Sequence, residues 1–252
     1  MLSDRALQGK PINTVADLTN QLRHLPRAHR SLFRGQNTDQ PLFPKIARVA
    51  MEKGIHPSKV TDIEKRMLER FRRESVPMLP NASGLSDWEL LSIARHSGLA
   101  TRLVDWTANA LVGLWFAVWS NIPDGEDHAV LWMLNVKPEN EKPPERVDDV
   151  FNLNRTYVFQ PYHLDRRIVA QSAWFLVHRY GETDDSFLPL ERHPRYKGDL
   201  TKFLIPRKSV DDLRQELRTL GITQATLFPD LPGLCADIEA EGLDSWKPLS
   251  II

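Results

Sequence analysis

Cysteine is nearly absent: the chain of 252 residues holds one, Cys235. A lone cysteine excludes an internal disulfide framework and a cysteine-built zinc site, and it fits a reducing compartment. Its plain reading is a small buried hydrophobe. An excess of one charge is also missing, because 33 Lys and Arg balance 33 Asp and Glu. No global field therefore draws this protein to nucleic acid or to an anionic membrane, and any binding must come from a site. Long apolar runs are lacking too. The longest, ALVGLWFAVW at 110–119, falls far short of the ~20 residues that cross a bilayer, and the opening MLSDRALQGKPINTVADL carries no apolar signal core. The expectation is a cytoplasmic protein with no membrane partner and an oligomeric state left open.

Several reaction motifs are missing as well. There is no G-x-G-x-x-G after a strand, no G-x-x-x-x-G-K-[ST] phosphate loop, no G-x-S-x-G elbow and no H-E-x-x-H pair. His24, His29, His178 and His193 lack metal-ligand spacing and read as surface residues, so no metal cofactor is expected.

What is present is an ordinary globular composition, 41% hydrophobic and 26% charged, long enough to bury a substantial core. INTVADLTNQLRHL sets Ile12, Val15, Leu18, Leu22 and Leu25 at helical spacing behind Asn13 or Thr14 as a cap. TDIEKRMLERFRRESVPML repeats that spacing behind Thr61 or Asp62, with a charged face that reads as solvated. LSDWELLSIARHSG has Ser86 as cap, Glu89 closing a capping box and Gly98 as its stop. Ser31 to Arg34 read as a strand ending at Gly35, and TRLVDW as another that feeds an apolar helix over 108–120. HAVLWMLNV, TYVFQP, AWFLVH and LTKFLIP read as strands, HLDRRIVAQS as a short helix or turn, KSVDDLRQELRTLG as a helix, and the tail as a turn and a final helix. The stretch at 140–155 is a polar, proline-bearing loop. Helices gather in the first half and strands in the second, without regular βαβ alternation. That order predicts an α+β fold, helices packed on a mixed or antiparallel sheet, in a single domain spanning 1–252.

Two stretches carry polar groups that solvation alone does not explain. In LFRGQ, Arg34 emerges at a strand end, where its planar fork can grip two oxygens of a phosphate or carboxylate. Gly35 beside it allows close approach of a ligand or a second backbone. The plain alternative pairs Arg34 with a structural acid. In ARHSGLATRLVDWTANALVGLWFAV, alternation sets Leu103 and Asp105 on one strand face and Arg102, Val104 and Trp106 on the other. Thr107 is the natural cap of the helix that follows. The purely structural account gives Asp105 a bond to Arg102 or Arg34, Thr107 a cap and Trp106 a core seat.

SLFRGQ, LLSIARHSGLATRLVDWTANALVGLWFAV and RRIVAQSAWFLVH, in that order, resemble the FRG-domain family, named for the tripeptide Phe33-Arg34-Gly35. The resemblance covers about residues 12–235. Arg95 stands where the family usually has Gln, Ser97 where it has Tyr and Ala100 where it has Pro. His96, Thr101, Arg102, Asp105, Trp106 and Thr107 stay in register. The family occurs in bacterial and phage-related proteins, which implies a defence or toxin role. A fainter similarity runs to ADP-ribosyltransferases of the Arg-Ser-Glu type. It implies that Arg34 holds the phosphate of NAD, that Thr101 to Thr107 form the central strand, and that Gln171 sits near the position of the catalytic acid. Gln171 cannot itself steady the ribosyl cation, since that needs an ionised carboxylate. Asp105, Glu69 or Asp165 would have to, and Asp105 is the one inside the specific block.

Two functions follow. The first is a transferase or glycohydrolase acting on NAD, with Asp105, Gln171 and His96 as catalytic candidates and Phe33, Arg34, Gly35, Thr101, Arg102, Trp106 and Thr107 as ligand contacts. Trp106 would stack on a base or nicotinamide, and the acceptor would be a protein or nucleic acid. The second is a module that senses a nucleotide, other small molecule or partner in the same cleft without chemistry. A third reading, a nuclease, would set Asp105 with Glu89 or Asp87 around magnesium.

Overall fold

The computed structural model of the chain describes residues 7–24, 30–79, 82–142, 149–180 and 185–244. Leu25, His29 and positions 143–148 of the 140–155 loop lie outside them. The fold is α+β, as the order of helical and strand-like stretches predicts. Seven strands among the described residues form one sheet: β1 (Leu7–Gln8), β2 (Arg30–Gln36), β3 (Leu103–Thr107), β4 (His128–Val136), β5 (Tyr157–Phe159), β6 (Ala173–Val177) and β7 (Leu200–Pro206). They stand in the order β1-β7-β4-β2-β3-β6-β5, and every pairing is antiparallel except β1 on β7.

Helices α1 (Val15–Arg23), α2 (Lys45–Glu52), α3 (Val60–Glu74), α4 (Asp87–His96), α5 (Ala110–Val118), α6 (Arg166–Ala170), α7 (Val210–Thr219), α8 (Gln224–Leu227) and α9 (Leu231–Asp244) surround the sheet. Capping boxes open α1, through Thr14 and Asp17, and α4, through Ser86 and Glu89. Two expected caps move. The start of α3 has Lys59 as its cap residue, with no side-chain bond, because the Thr61 hydroxyl is engaged by Arg102 and Tyr180. Asn109, not Thr107, caps α5, and Thr107 instead accepts the Asn109 N–H at 3.0 Å. Short α2 buries Ile46, Ala47 and Ala50, and it was not legible as a helix in its proline-flanked stretch.

The sheet is unevenly knitted. β2 pairs with β4 along all seven of its residues, from Arg30 opposite Val136 to Gln36 opposite Val130. β3 pairs with β6 along five, from Leu103 opposite Val177 to Thr107 opposite Ala173. Between β2 and β3 the register consists of one pair, Phe33 with Thr107. Strand alternation sets Phe33, Leu131 and Met133 on one face, where α5 and α7 complete an apolar cluster. Leu103, Phe159 and Phe175 on the other half-sheet pack against α3 and α4. Leu32, Val104, Trp106, Trp132 and Trp174 form a third cluster with Leu42, Leu190 and Tyr196.

Thr101 and Arg102 do not reach the face expected of ligand contacts. Both are fully buried, and Arg102 donates from its backbone N and from Nε to Glu64, each at 2.6 Å, with Nη2 on Thr61. Glu64 is equally buried, so the charged side of α3 is not wholly solvated. A buried ion pair holds only when its remaining donors are satisfied, and here Arg102 finds Thr61 and the Val150 carbonyl while lying 4.9 Å from the Phe151 ring centroid. Two other expectations fail for reasons of burial. His178 is in the core, where desolvation, helped by His193 and Arg102, brings its imidazole down to about 3. Cys235 is exposed on α9.

α5 lies on β2 backbone to backbone. A Cβ on Gly35 would stand 2.2 Å from the Ala117 nitrogen and 2.2 Å from the Gly113 oxygen, and one on Gly113 would stand 2.6 Å from the Phe33 Cβ. Gly35 thus admits a second backbone. Replacing it by alanine forces strand and helix apart, and Gly35→Ala is expected to cost about 3 kcal/mol of stability through overpacking. Urea unfolding checks this, and an unchanged midpoint contradicts it.

Candidate functional site

Where β2 and β3 part, the cleft between the half-sheets holds about 320 Å³. Its walls come from β2 (Phe33, Arg34, Gly35), the end of α4 (Arg95, His96), β3 (Asp105, Trp106, Thr107), Phe116 of α5, Arg167 and Gln171 around α6, Ala173 of β6, and Phe228. Eight of the ten residues singled out in the sequence therefore line one cavity. Thr101 and Arg102 are the two that do not.

Arg34 closes the gap that the missing strand pairing leaves. Its Nη1 donates to the Asp105 carbonyl at 2.9 Å and lies 3.7 Å from the Asp105 carboxylate. A guanidinium thus satisfies a strand carbonyl that no neighbouring N–H reaches from β2. Arg34 Nε is buried with no partner. Burial, with the charges of Arg95 and Arg48 added, brings the Arg34 guanidinium down to about 10 against the pull of Asp105.

The main partner of Asp105 is neither Arg34 nor Arg102 but Arg95. Arg95 Nε donates to both carboxylate oxygens, at 3.2 and 3.0 Å, and Nη2 donates to Oδ2. Partial burial alone would raise the Asp105 carboxyl, but the charge and hydrogen bonds of Arg95, with Arg34 and His96 behind them, outweigh it and hold the group below its ordinary value. The carboxylate is ionised at neutral pH. It is the most open of the three, with 39% of its side chain exposed against 15% for Arg95 and 17% for Arg34.

His96 packs edge-on to Phe175, ring centroids 5.5 Å apart, and its Nε2 is buried without a partner. Burial depresses its imidazole more than Asp105 and Asp165 restore it, which leaves the ring neutral at pH 7. Thr107 donates to the Gln171 carbonyl at 2.7 Å, and Gln171 Nε2 donates to the Leu227 carbonyl at 3.1 Å. Gln171 therefore ties α6 both to β3 and to α8. The next residue, Ser172, has φ 46°, a conformation rare outside glycine, and its carbonyl accepts the Ala108 N–H. Trp106 is 3% exposed and seated beside Trp132 and Trp174 in the core, so it is no stacking platform. Phe33 is equally buried, and the partly buried rings of Phe116 and Phe228 form the aromatic wall instead.

Residues 29–125 match the family model of the FRG domain. The similarity to that family covers this span. No curated protein and no solved structure matches the chain, so the similarity to ADP-ribosyltransferases rests on the residues quoted above alone. The matched span supplies the cleft residues of β2, α4, β3 and α5, from Phe33 to Phe116, while Arg167, Gln171, Ala173 and Phe228 lie C-terminal to it.

Sequence reasoning passed over four groups of the cleft. Arg95 was noticed only as a departure from the FRG pattern, and that departure was the available signal. Phe116 reads as part of the apolar helix over 108–120, and Phe228 falls in a tail read only as a turn and a final helix. Arg167, which pairs with Asp230 and stacks 5.2 Å from the Phe228 ring centroid, had no sequence signal because its partner lies 63 residues away. The nuclease pair does not assemble: Asp87 is bound to Arg72, Glu89 is spent on the Ser86 cap, and neither lines the cleft. Among the described residues no three His, Cys, Asp or Glu side chains are grouped to hold a metal ion, and no helix is long and apolar enough to cross a membrane.

Because its pKa is lowered on folding, Asp105 contributes stability that is fully present above about pH 4 and lost as pH falls through the depressed value. In buffer free of phosphate, Asp105→Asn is expected to lower stability at pH 7 by about 1 kcal/mol, a modest figure because water screens the partly exposed pair. Thermal unfolding of both proteins from pH 7 to pH 3 is expected to show the gap closing. A gap that stays constant to pH 3 contradicts the assignment.

Proposed function

We propose that this protein binds a nucleotide, or a comparably phosphate-bearing small molecule, in the cleft between its half-sheets. The observation that carries the reading is convergence: Arg34 from β2, Arg95 and His96 from α4, Asp105 from β3 and Gln171 at the end of α6 face one cavity with an aromatic wall. Guanidinium forks suit phosphate oxygens. Phe116 and Phe228 suit a base or a nicotinamide ring. The cavity is at the small end of ligand pockets, so a dinucleotide such as NAD would extend past His96 and Arg167 into the adjoining groove beside Leu164, Asp165 and Arg166.

A second reading, cleavage of NAD by ADP-ribosyl transfer or glycohydrolysis, is favoured by one observation, the ionised Asp105 carboxylate in the cavity. Loss of nicotinamide leaves positive charge on the ribose, and an ionised acid beside it lowers the barrier. In the arrangement without ligand, Arg95 occupies both oxygens of that acid. The binding reading needs no change in this pairing, which is why it stands first. Protein and nucleic acid remain the candidate acceptors of the transfer reading, and NAD depletion would connect it to a toxin or defence role.

Calorimetry with NAD and ADP-ribose is expected to give saturable binding that Arg34→Ala weakens by about tenfold or more, the scale of a lost charge-assisted contact. Following nicotinamide in the same mixtures separates the two readings, since release that stops in Asp105→Asn marks the enzyme. If neither compound binds the unaltered protein and no nicotinamide appears, the nucleotide reading is wrong.

A further inference from the structure

We propose that the Asp105 carboxylate sits in the seat of the ligand's anionic group, so that an incoming phosphate displaces it from Arg95 and frees it into the cleft. This rests on the reading of the cleft as a site for a phosphate-bearing ligand, and it concerns how that site is regulated.

Geometry supplies the first argument. Arg95 grips the carboxylate through both Nε and Nη2, which is the way a guanidinium grips a phosphate. The second is charge. Arg34 and Arg95 both hold the Asp105 carboxylate, the charges of Arg95 and Arg48 disfavour that of Arg34, and Arg95 disfavours that of Arg48. Of the other charged groups, Glu52 acts on Arg48, Asp165 acts on His96, and Arg167 is held by Asp230. Two guanidiniums therefore share one carboxylate with a third close enough to act on them, and an anion with two or more charges serves them better than a single charge does.

A third argument comes from unsatisfied groups. Arg34 Nε and His96 Nε2, on residues that line the cavity, are both buried with no partner, and such groups are a standing cost that a shift of these side chains toward a bound anion would relieve. Mobility is the fourth. The backbone carbonyl of Asp105 holds Arg34 at 2.9 Å, a contact in which the carboxylate takes no part. The carboxylate, more exposed than either arginine, is the member able to swing away. The acid would then be uncovered only when the ligand's own charge has taken its place, which ties its availability to occupancy.

The test uses inorganic pyrophosphate as the probe, at constant ionic strength, with calorimetry on three proteins. If the carboxylate is a competitor, removing it strengthens binding: Asp105→Asn is expected to bind pyrophosphate about tenfold more tightly than the unaltered chain, and Arg95→Gln about tenfold more weakly, the scale of one unit charge at contact distance that water largely screens. Circular dichroism confirms that each variant is folded. Should Asp105→Asn fail to fold, the Asp105 carboxyl carbon is followed by NMR in the unaltered protein, where pyrophosphate is expected to raise its titration midpoint. The proposal is overturned by Asp105→Asn binding no tighter than the unaltered chain, by a midpoint that pyrophosphate leaves unmoved, or by no pyrophosphate binding in any of the three. Failure of NAD and ADP-ribose to bind, with the pyrophosphate results as expected, removes the nucleotide reading and leaves this one standing.

Discussion

A sheet that pairs two half-sheets through Phe33 and Thr107 alone has an open joint beside that pair, and strand carbonyls in an open joint need donors. Arg34 is the donor. By bonding the Asp105 carbonyl from the neighbouring strand, it keeps the halves in register while leaving room between them that a regular ladder would fill. The remaining features follow from this opening. Gly35 and Gly113 let α5 sit directly on β2 beneath it, the end of α4 brings Arg95 and His96 to its rim, and the Thr107 to Gln171 bond draws α6 across its far side. Phenylalanine, arginine and glycine in the signature tripeptide thus have separate duties: core anchor, joint closure and close approach.

Electrostatics then decide what such an opening can accept. Guanidiniums outnumber carboxylates around it, although the chain as a whole is neutral. Net charge was a sound guide to the absence of a global field and no guide to the local one, because the arginines that matter come from separate helices and strands. Arg102 makes the same point in reverse. It belongs to the most distinctive block of the sequence, yet its charge is consumed inside the core by Glu64.

Much of the architecture was legible in the residues. β4 runs over the nine residues that its apolar pattern marks, Thr14 caps α1, the α4 capping box forms as spelled, and the α+β order holds. Period-two alternation correctly separated Asp105 from Val104 and Trp106, because side-chain direction in a strand is local. Partner choice is not local. Nothing in the spacing distinguished Arg95, ten residues away on a helix, from Arg34 or Arg102 as the partner of Asp105. The same limit hid Glu64 inside a charged helix face, and it hid His178 among histidines that read as surface. Caps erred where a hydroxyl had a better use: Thr61 went to Arg102, and Thr107 to Gln171.

The account centres on one claim, that the joint between the half-sheets is a phosphate-binding cleft with Arg34 at its base. A crystal structure of the protein grown with ADP-ribose tests it most directly. Phosphate oxygens on Arg34 and Arg95, a ring against Phe116 or Phe228, and the Asp105 carboxylate turned away from Arg95 are the expected result. Ligand bound elsewhere, with the Arg95 to Asp105 contact intact and the cleft empty, contradicts it.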